Sequence, residues 1–191
     1  MKKTLLIGLL VFSLVALLVV GGTMAWFTSE DEVTNKFTAG TVKIEINEHE
    51  FEDIIDWNPG DTTDKDVSVK SLGSKGTYVR VSLTPVWLDG GTETDLATSN
   101  VTLNTVNSDK WIKSGDWYYY YKIMDKDQET ELLLDSVTLA GSGTNNDYQG
   151  KTLRINVKAE SVQASHEAYK DAWNLTSLPA EVEIWTEGGA N

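Results

Sequence analysis

The sequence predicts an all-β fold, a jelly-roll-like antiparallel β-sandwich with one short helix near its C-terminal end. Two observations predict it. Apolar and polar residues alternate along run after run, which sends one face to a core and the other to water. Turn signals then separate the runs: Asn58-Pro59-Gly60-Asp61, Gly73-Ser74-Lys75-Gly76, Asp89-Gly90-Gly91 and Gly141-Ser142-Gly143. About eight or nine short strands at such spacing make a sandwich or jelly roll.

The first element is not a strand. Lys2 and Lys3 precede the uncharged apolar run from Leu5 to Val20, and Gly21, Gly22, Thr23, Met24 and Ala25 follow before Trp26. A positive start, an apolar stretch and small residues make a secretory signal peptide over residues 1–25, with cleavage expected between Ala25 and Trp26. The positive end stays in the cytoplasm. The other reading is an uncleaved anchor, since the run approaches the length of one membrane span. The rest of the chain, expected to fold outside the cytoplasm, divides into an extended segment, 26–40, and one β-sandwich domain, 41–191.

Within that domain, Val42, Ile44 and Ile46 alternate with Lys43 and Glu45. Val79, Val81 and Leu83 alternate with Arg80 and Ser82, and Leu153, Ile155, Val157 and Ala159 alternate with Arg154, Asn156 and Lys158. Further strands are expected at Val67–Lys70, Val101–Val106, Trp117–Met124, Leu132–Leu139 and Glu181–Trp185. From Val162 to Trp173 the period changes: Val162, Tyr169 and Trp173 fall near helical spacing, and Ala164, Ala168 and Ala172 favour helix. A short helix between two late strands is expected there. The run Trp117-Tyr118-Tyr119-Tyr120-Tyr121 has two readings: a core strand whose outer face loops cover, or a contact surface for assembly or ligand.

The chain has 191 residues, a net charge of −13 and no cysteine. Such a surface repels nucleic acid and anionic lipid, so contact with a membrane is expected only through the uncleaved leader. Without disulfides, an exported domain depends on its core or on assembly.

The residues also match a family pattern. Gly22-Thr23-Met24-Ala25-Trp26-Phe27-Thr28, then Asn35-Lys36-Phe37-Thr38-Ala39-Gly40-Thr41-Val42, resemble the start of TasA/camelysin proteins. So do, in order, the Pro59-Gly60-Asp61 turn, Gly73-Ser74 before Tyr78-Val79-Arg80-Val81, and the late run Val157-Lys158-Ala159-Glu160-Ser161-Val162-Gln163-Ala164. One departure is Ser71-Leu72-Gly73 where the family often has Asn-x-Gly; a serine side chain there can still make a local turn bond.

The resemblance implies secretion from a Gram-positive cell, processing by a SipW-type signal peptidase, and a jelly-roll-like sandwich. Its TasA branch implies biofilm-matrix fibres in which a subunit's N-terminal segment pairs with the next subunit. The partners are then other copies of the chain, the peptidase, and other matrix proteins. Trp26, Phe27, Val33, Phe37 and Ala39 are the candidate donor-strand residues; Val33, Phe37 and Ala39 share one face, and cleavage frees Trp26 and Phe27 as an apolar leading end. The other reading keeps Thr34–Ile46 within its own domain and leaves Trp26–Glu32 as a tail. A third role is a monomeric surface or spore-coat-associated adhesion module.

The camelysin branch implies a metalloendopeptidase. A zincin carries His-Glu-x-x-His on a helix. Here His49-Glu50-Phe51-Glu52-Asp53 and His166-Glu167-Ala168-Tyr169-Lys170 each lack the second histidine. A zinc site would draw on His49, Glu50, His166 and Glu167; the other reading is ordinary surface histidines. For calcium the candidates are Asp61, Asp64 and Asp66, with Asp125 and Asp127 as a second acidic pair, against solvated acidic loops. Neither cluster has an EF-hand loop, and no motif calls for an organic cofactor. Nucleophile chemistry has no foothold: there is no cysteine, and Gly141-Ser142-Gly143 is a turn rather than a strand-elbow-helix motif.

Overall fold

The computed structural model describes residues 28–31, 42–49, 58–141 and 144–187. Ten strands lie among them: β1 (Thr28–Asp31), β2 (Ile44–His49), β3 (Thr62–Ser71), β4 (Thr77–Asp89), β5 (Thr92–Glu93), β6 (Val101–Thr105), β7 (Trp111–Ser114), β8 (Trp117–Tyr120), β9 (Leu134–Leu139) and β10 (Thr152–Gln163). They form two antiparallel sheets. The larger runs β1-β10-β4-β8-β7, with β5 hairpinned onto β4; the smaller runs β2-β3-β9-β6. The expected β-sandwich is what the chain forms.

The main core lies between the sheets. Val67, Val69, Leu134, Val137 and Leu139 from the smaller sheet meet Val79, Val81, Leu153, Ile155 and Val157 from the larger one. Burying each such side chain is worth about 1.5–3 kcal/mol before entropy. The alternating residues read from the sequence supply this layer.

The opposite face of the larger sheet does not meet water as the alternation predicts. Thr77–Val81 are buried without interruption, and so are Ala159–Val162. The chain after β10 folds back across them. A 3₁₀ turn, Ser165–Glu167, leads into the short helix α1 (Tyr169–Ala172). Tyr169, Trp173, Leu178 and Val182 then form a second core with Tyr78, Tyr119 and Val162.

Four expectations are corrected. Glu181–Trp185 is not a strand: Val182 N–H turns back to the Pro179 carbonyl, and the segment docks through side chains and one backbone bond, from Glu183 N–H to the Tyr121 carbonyl at 2.7 Å. The helix therefore follows the last strand instead of separating two, and Val162 belongs to β10. The aromatic strand stops at Tyr120 instead of running to Met124, which makes only an isolated bridge to Thr77. Ser71 makes no side-chain turn bond: its Oγ is buried without a partner among the described residues. Backbone holds that turn, with Leu72 and Gly73 N–H groups both donating to the Lys43 carbonyl, at 2.7 and 3.0 Å.

Candidate functional site

Strand addition needs an edge with unpaired backbone. β10 provides one. Its inner side pairs with β4 along all twelve residues, from Thr152 opposite Leu88 to Gln163 opposite Thr77. Its outer side, among the described residues, pairs with β1 in the register Thr28 to Val162, Ser29 to Ser161, Glu30 to Glu160 and Asp31 to Ala159. Among the described residues, no strand covers Thr152–Lys158 on that side. The four described residues of the N-terminal arm thus pair with a third of the β10 strand.

Of the candidate donor residues, Trp26, Phe27, Val33, Phe37 and Ala39 lie outside the described residues, as does the Ala25–Trp26 cleavage position. The strand between them, β1, is the described part of that segment.

Beside this edge, the outer face carries a buried ion pair. Arg80 Nε and Nη2 donate to Glu160 Oε2 at 2.9 and 2.6 Å. Lys158 Nζ reaches the other oxygen, Oε1, at 2.9 Å. The Arg80 guanidinium also lies over two indoles, 4.0 Å from the Trp117 ring centre and 4.5 Å from that of Trp173. A cation held against aromatic faces and away from water gains from each. The aromatic run serves both faces: Tyr119 meets Trp173 edge-on outside, while Tyr120 packs on Trp111 in the main core. The Tyr78 hydroxyl accepts a bond from Trp185 N–H at 2.9 Å, and burial raises its pKa. The Tyr120 hydroxyl donates to Glu131. Burial first, and this bond second, push the Tyr120 pKa up, whereas the same bond lowers that of Glu131.

The candidate ion ligands are scattered. His166 stacks on Trp185, ring centres 6.0 Å apart, at a left-handed φ of 59°. Glu167 bonds Lys170 at 2.7 Å. His49 ends β2 and Glu50 lies outside the described residues. The His166–Glu167 half of the zinc set thus faces an indole and an ammonium. Asp61 Oδ2 accepts from Asn58 N–H at 2.9 Å, closing its turn, while Asp64 and Asp66 sit on β3 beside its bulge. Among the described residues no three His, Cys, Asp or Glu side chains are grouped to hold a metal ion.

A family model, described as camelysin metallo-endopeptidase, matches residues 1–86. The chain is camelysin-like over that segment. The match agrees with the family to which the sequence motifs point. The camelysin-like part takes in the apolar N-terminus, β1 to β3 and β4 as far as Val86. It includes His49 and the Asp61–Asp66 cluster; His166, Glu167 and the whole of β10 lie beyond it. No curated protein and no solved structure matches the chain. No helix among the described residues is long and apolar enough to cross a membrane.

Sequence reading missed two features here: the Arg80–Trp117–Trp173 stack and the pairing of the twelve-residue β10 with the four-residue β1. Residue spacing carries no signal for the first, because its members come from β4, β8 and the chain after α1. The second had a weak signal in the length of the Thr152–Gln163 strand.

Proposed function

We propose that the chain is an exported sandwich subunit that builds extracellular matrix fibres by strand exchange. The single observation behind this reading is the β1–β10 pairing. Its ladder joins four residues close to the N-terminus to an edge three times as long. The same backbone bonds can be made with the β1 of another copy, and exchanging an identical element between subunits adds little new cost. Removal of the leader between Ala25 and Trp26 by a SipW-type peptidase would free that arm from the membrane. Trp26, Phe27, Val33, Phe37 and Ala39 would then supply apolar anchors beside β1. Deleting Trp26–Val33 from the processed protein tests this. Fibres seen by electron microscopy should disappear while the monomer stays folded; undiminished fibres would refute the reading.

The description of the matching family favours a second reading, a cell-surface metallo-endopeptidase. It predicts chelator-sensitive cleavage of casein that is lost in a His49→Ala, His166→Ala double variant.

A further inference from the structure

β1 pairs with a distinctive part of β10. Thr28–Asp31 stand opposite Ala159–Val162, the one stretch of β10 in which four successive residues are buried. From Thr152 to Lys158 buried and more exposed residues alternate, as in an ordinary half-covered strand. The chain after β10, residues 164–185, makes the difference. Its Tyr169, Trp173, Leu178 and Val182 pack with Val162 on the outer face. The arm and this returning segment therefore meet at the same end of β10. Two carboxylates also meet there, because Glu30 is the register partner of Glu160. Like charges at opposite positions weaken a ladder. Two cations offset them: Arg80 gives two N–H groups to Glu160 Oε2, and Lys158 Nζ lies 2.9 Å from Oε1.

The balance depends on how firmly Arg80 is held. Its Nη1 donates to the Tyr119 hydroxyl at 3.4 Å, and its guanidinium lies between the Trp117 and Trp173 rings. Trp117 and Tyr119 belong to β8, within the sheet, whereas Trp173 comes from the returning segment. With Trp173 lifted away, water would reach the Arg80–Glu160 pair, and an exposed pair of this kind holds its geometry weakly. Water would reach the β1–β10 backbone bonds from the same side. We propose that residues 164–185 are a latch on β1, with Arg80 as the positioning residue that transmits it. While Trp173 is seated on Arg80, the Glu160 position accepts Glu30 and the arm stays paired; when the latch lifts, the arm is released. A released arm is what strand exchange needs, and the reseated latch would hold an incoming one. That consequence rests on the exchange reading above, whereas the latch itself belongs to a single copy.

Hydrogen–deuterium exchange of the processed monomer at pH 7, read by mass spectrometry, tests it. Trp173→Leu keeps an apolar side chain in the segment and removes the ring over Arg80. It should speed exchange in Thr28–Asp31 by about fivefold or more, while β3 and β9 of the smaller sheet keep their protection. Arg80→Lys keeps the charge but loses the fork onto Glu160 and the flat contact with the indoles; it should give the same signature, so the test does not hang on one variant. Glu30→Gln removes the opposed carboxylate. Added to Trp173→Leu it should slow exchange in β1 by up to about fivefold, and on its own it should change it by less than about twofold. Exchange in β1 that ignores both Trp173→Leu and Arg80→Lys would overturn the latch, and so would an acceleration equal with and without Glu30→Gln. Fibre growth is read separately. A faster-opening arm with no change in growth would refute the exchange reading and leave the latch standing.

Discussion

Arg80 sits where the alternation of β4 predicts a solvent-facing residue, yet it is only 8% exposed. Its charge is tolerated there because Glu160 accepts two of its N–H groups and two indoles flank it. Removing one partner of such a pair leaves the other charge stranded. Glu160→Ala should therefore destabilise the fold by about 3 kcal/mol in urea denaturation, whereas an apolar pair at Arg80 and Glu160 should recover much of that. A loss under about 0.5 kcal/mol, the usual range for surface sites, would mean the pair contributes little. The Tyr120–Glu131 bond sets a pH dependence. The Glu131 carboxyl is held below its ordinary value of 4.5, so its contribution is present above that pH and fades in more acid solution. The Tyr120 hydroxyl is raised above 10.0, so its contribution is present below pH 10 and fades as pH rises beyond it. Tyr120→Phe should cost about 1 kcal/mol near neutral pH and should flatten both arms of the Tm-against-pH curve. A curve of unchanged shape would contradict this assignment.

At the scale of elements, the strands with clean alternation were legible: β2, β4, β6, β9 and β10 fall where Val42–Ile46, Val79–Leu83, Val101–Val106, Leu132–Leu139 and Leu153–Ala159 place them. β7 was not, because Trp111–Ser114 offers too few residues to show a period. Glu181–Trp185 mimicked a strand through Val182 and Ile184. In the fold Val182 is buried and Ile184 is 61% exposed, and the backbone bond from Glu183 N–H to the Tyr121 carbonyl does not extend into a ladder; the segment is a strap held by Tyr169, Trp173 and Leu178. Period alone cannot tell a pairing strand from such a strap. The Arg80–Glu160 pair was not legible, because residues eighty positions apart come side by side only through the β4–β10 register. Truncating the chain after Gln163 should uncover Tyr78, Tyr119 and Val162 in one apolar face. The expected outcome is strong binding of a hydrophobic dye and a sharp fall in Tm; an unchanged Tm would mean the strap adds no stability.

For the whole molecule, two properties pull against each other. The proposed strand exchange moves β1 from the β10 of one copy to that of another, while a net charge of −13 keeps copies apart. Salt screens that repulsion within about 10 Å at 0.1 M, and acid reduces the charge itself. Fibre growth followed by light scattering should therefore quicken with added salt and toward the isoelectric region near pH 4.5. Growth indifferent to both would remove charge from the account. The absence of cysteine permits a direct test of where β1 pairs. Ser29 and Ser161 are register partners, close enough for a disulfide in an antiparallel ladder. One preparation carries Ser29→Cys and another carries Ser161→Cys; the two are mixed during assembly and then oxidised. Strand exchange predicts disulfide-linked pairs made of one copy of each variant. Cross-links that form only inside a chain carrying both substitutions, and never between the mixed single variants, would contradict it.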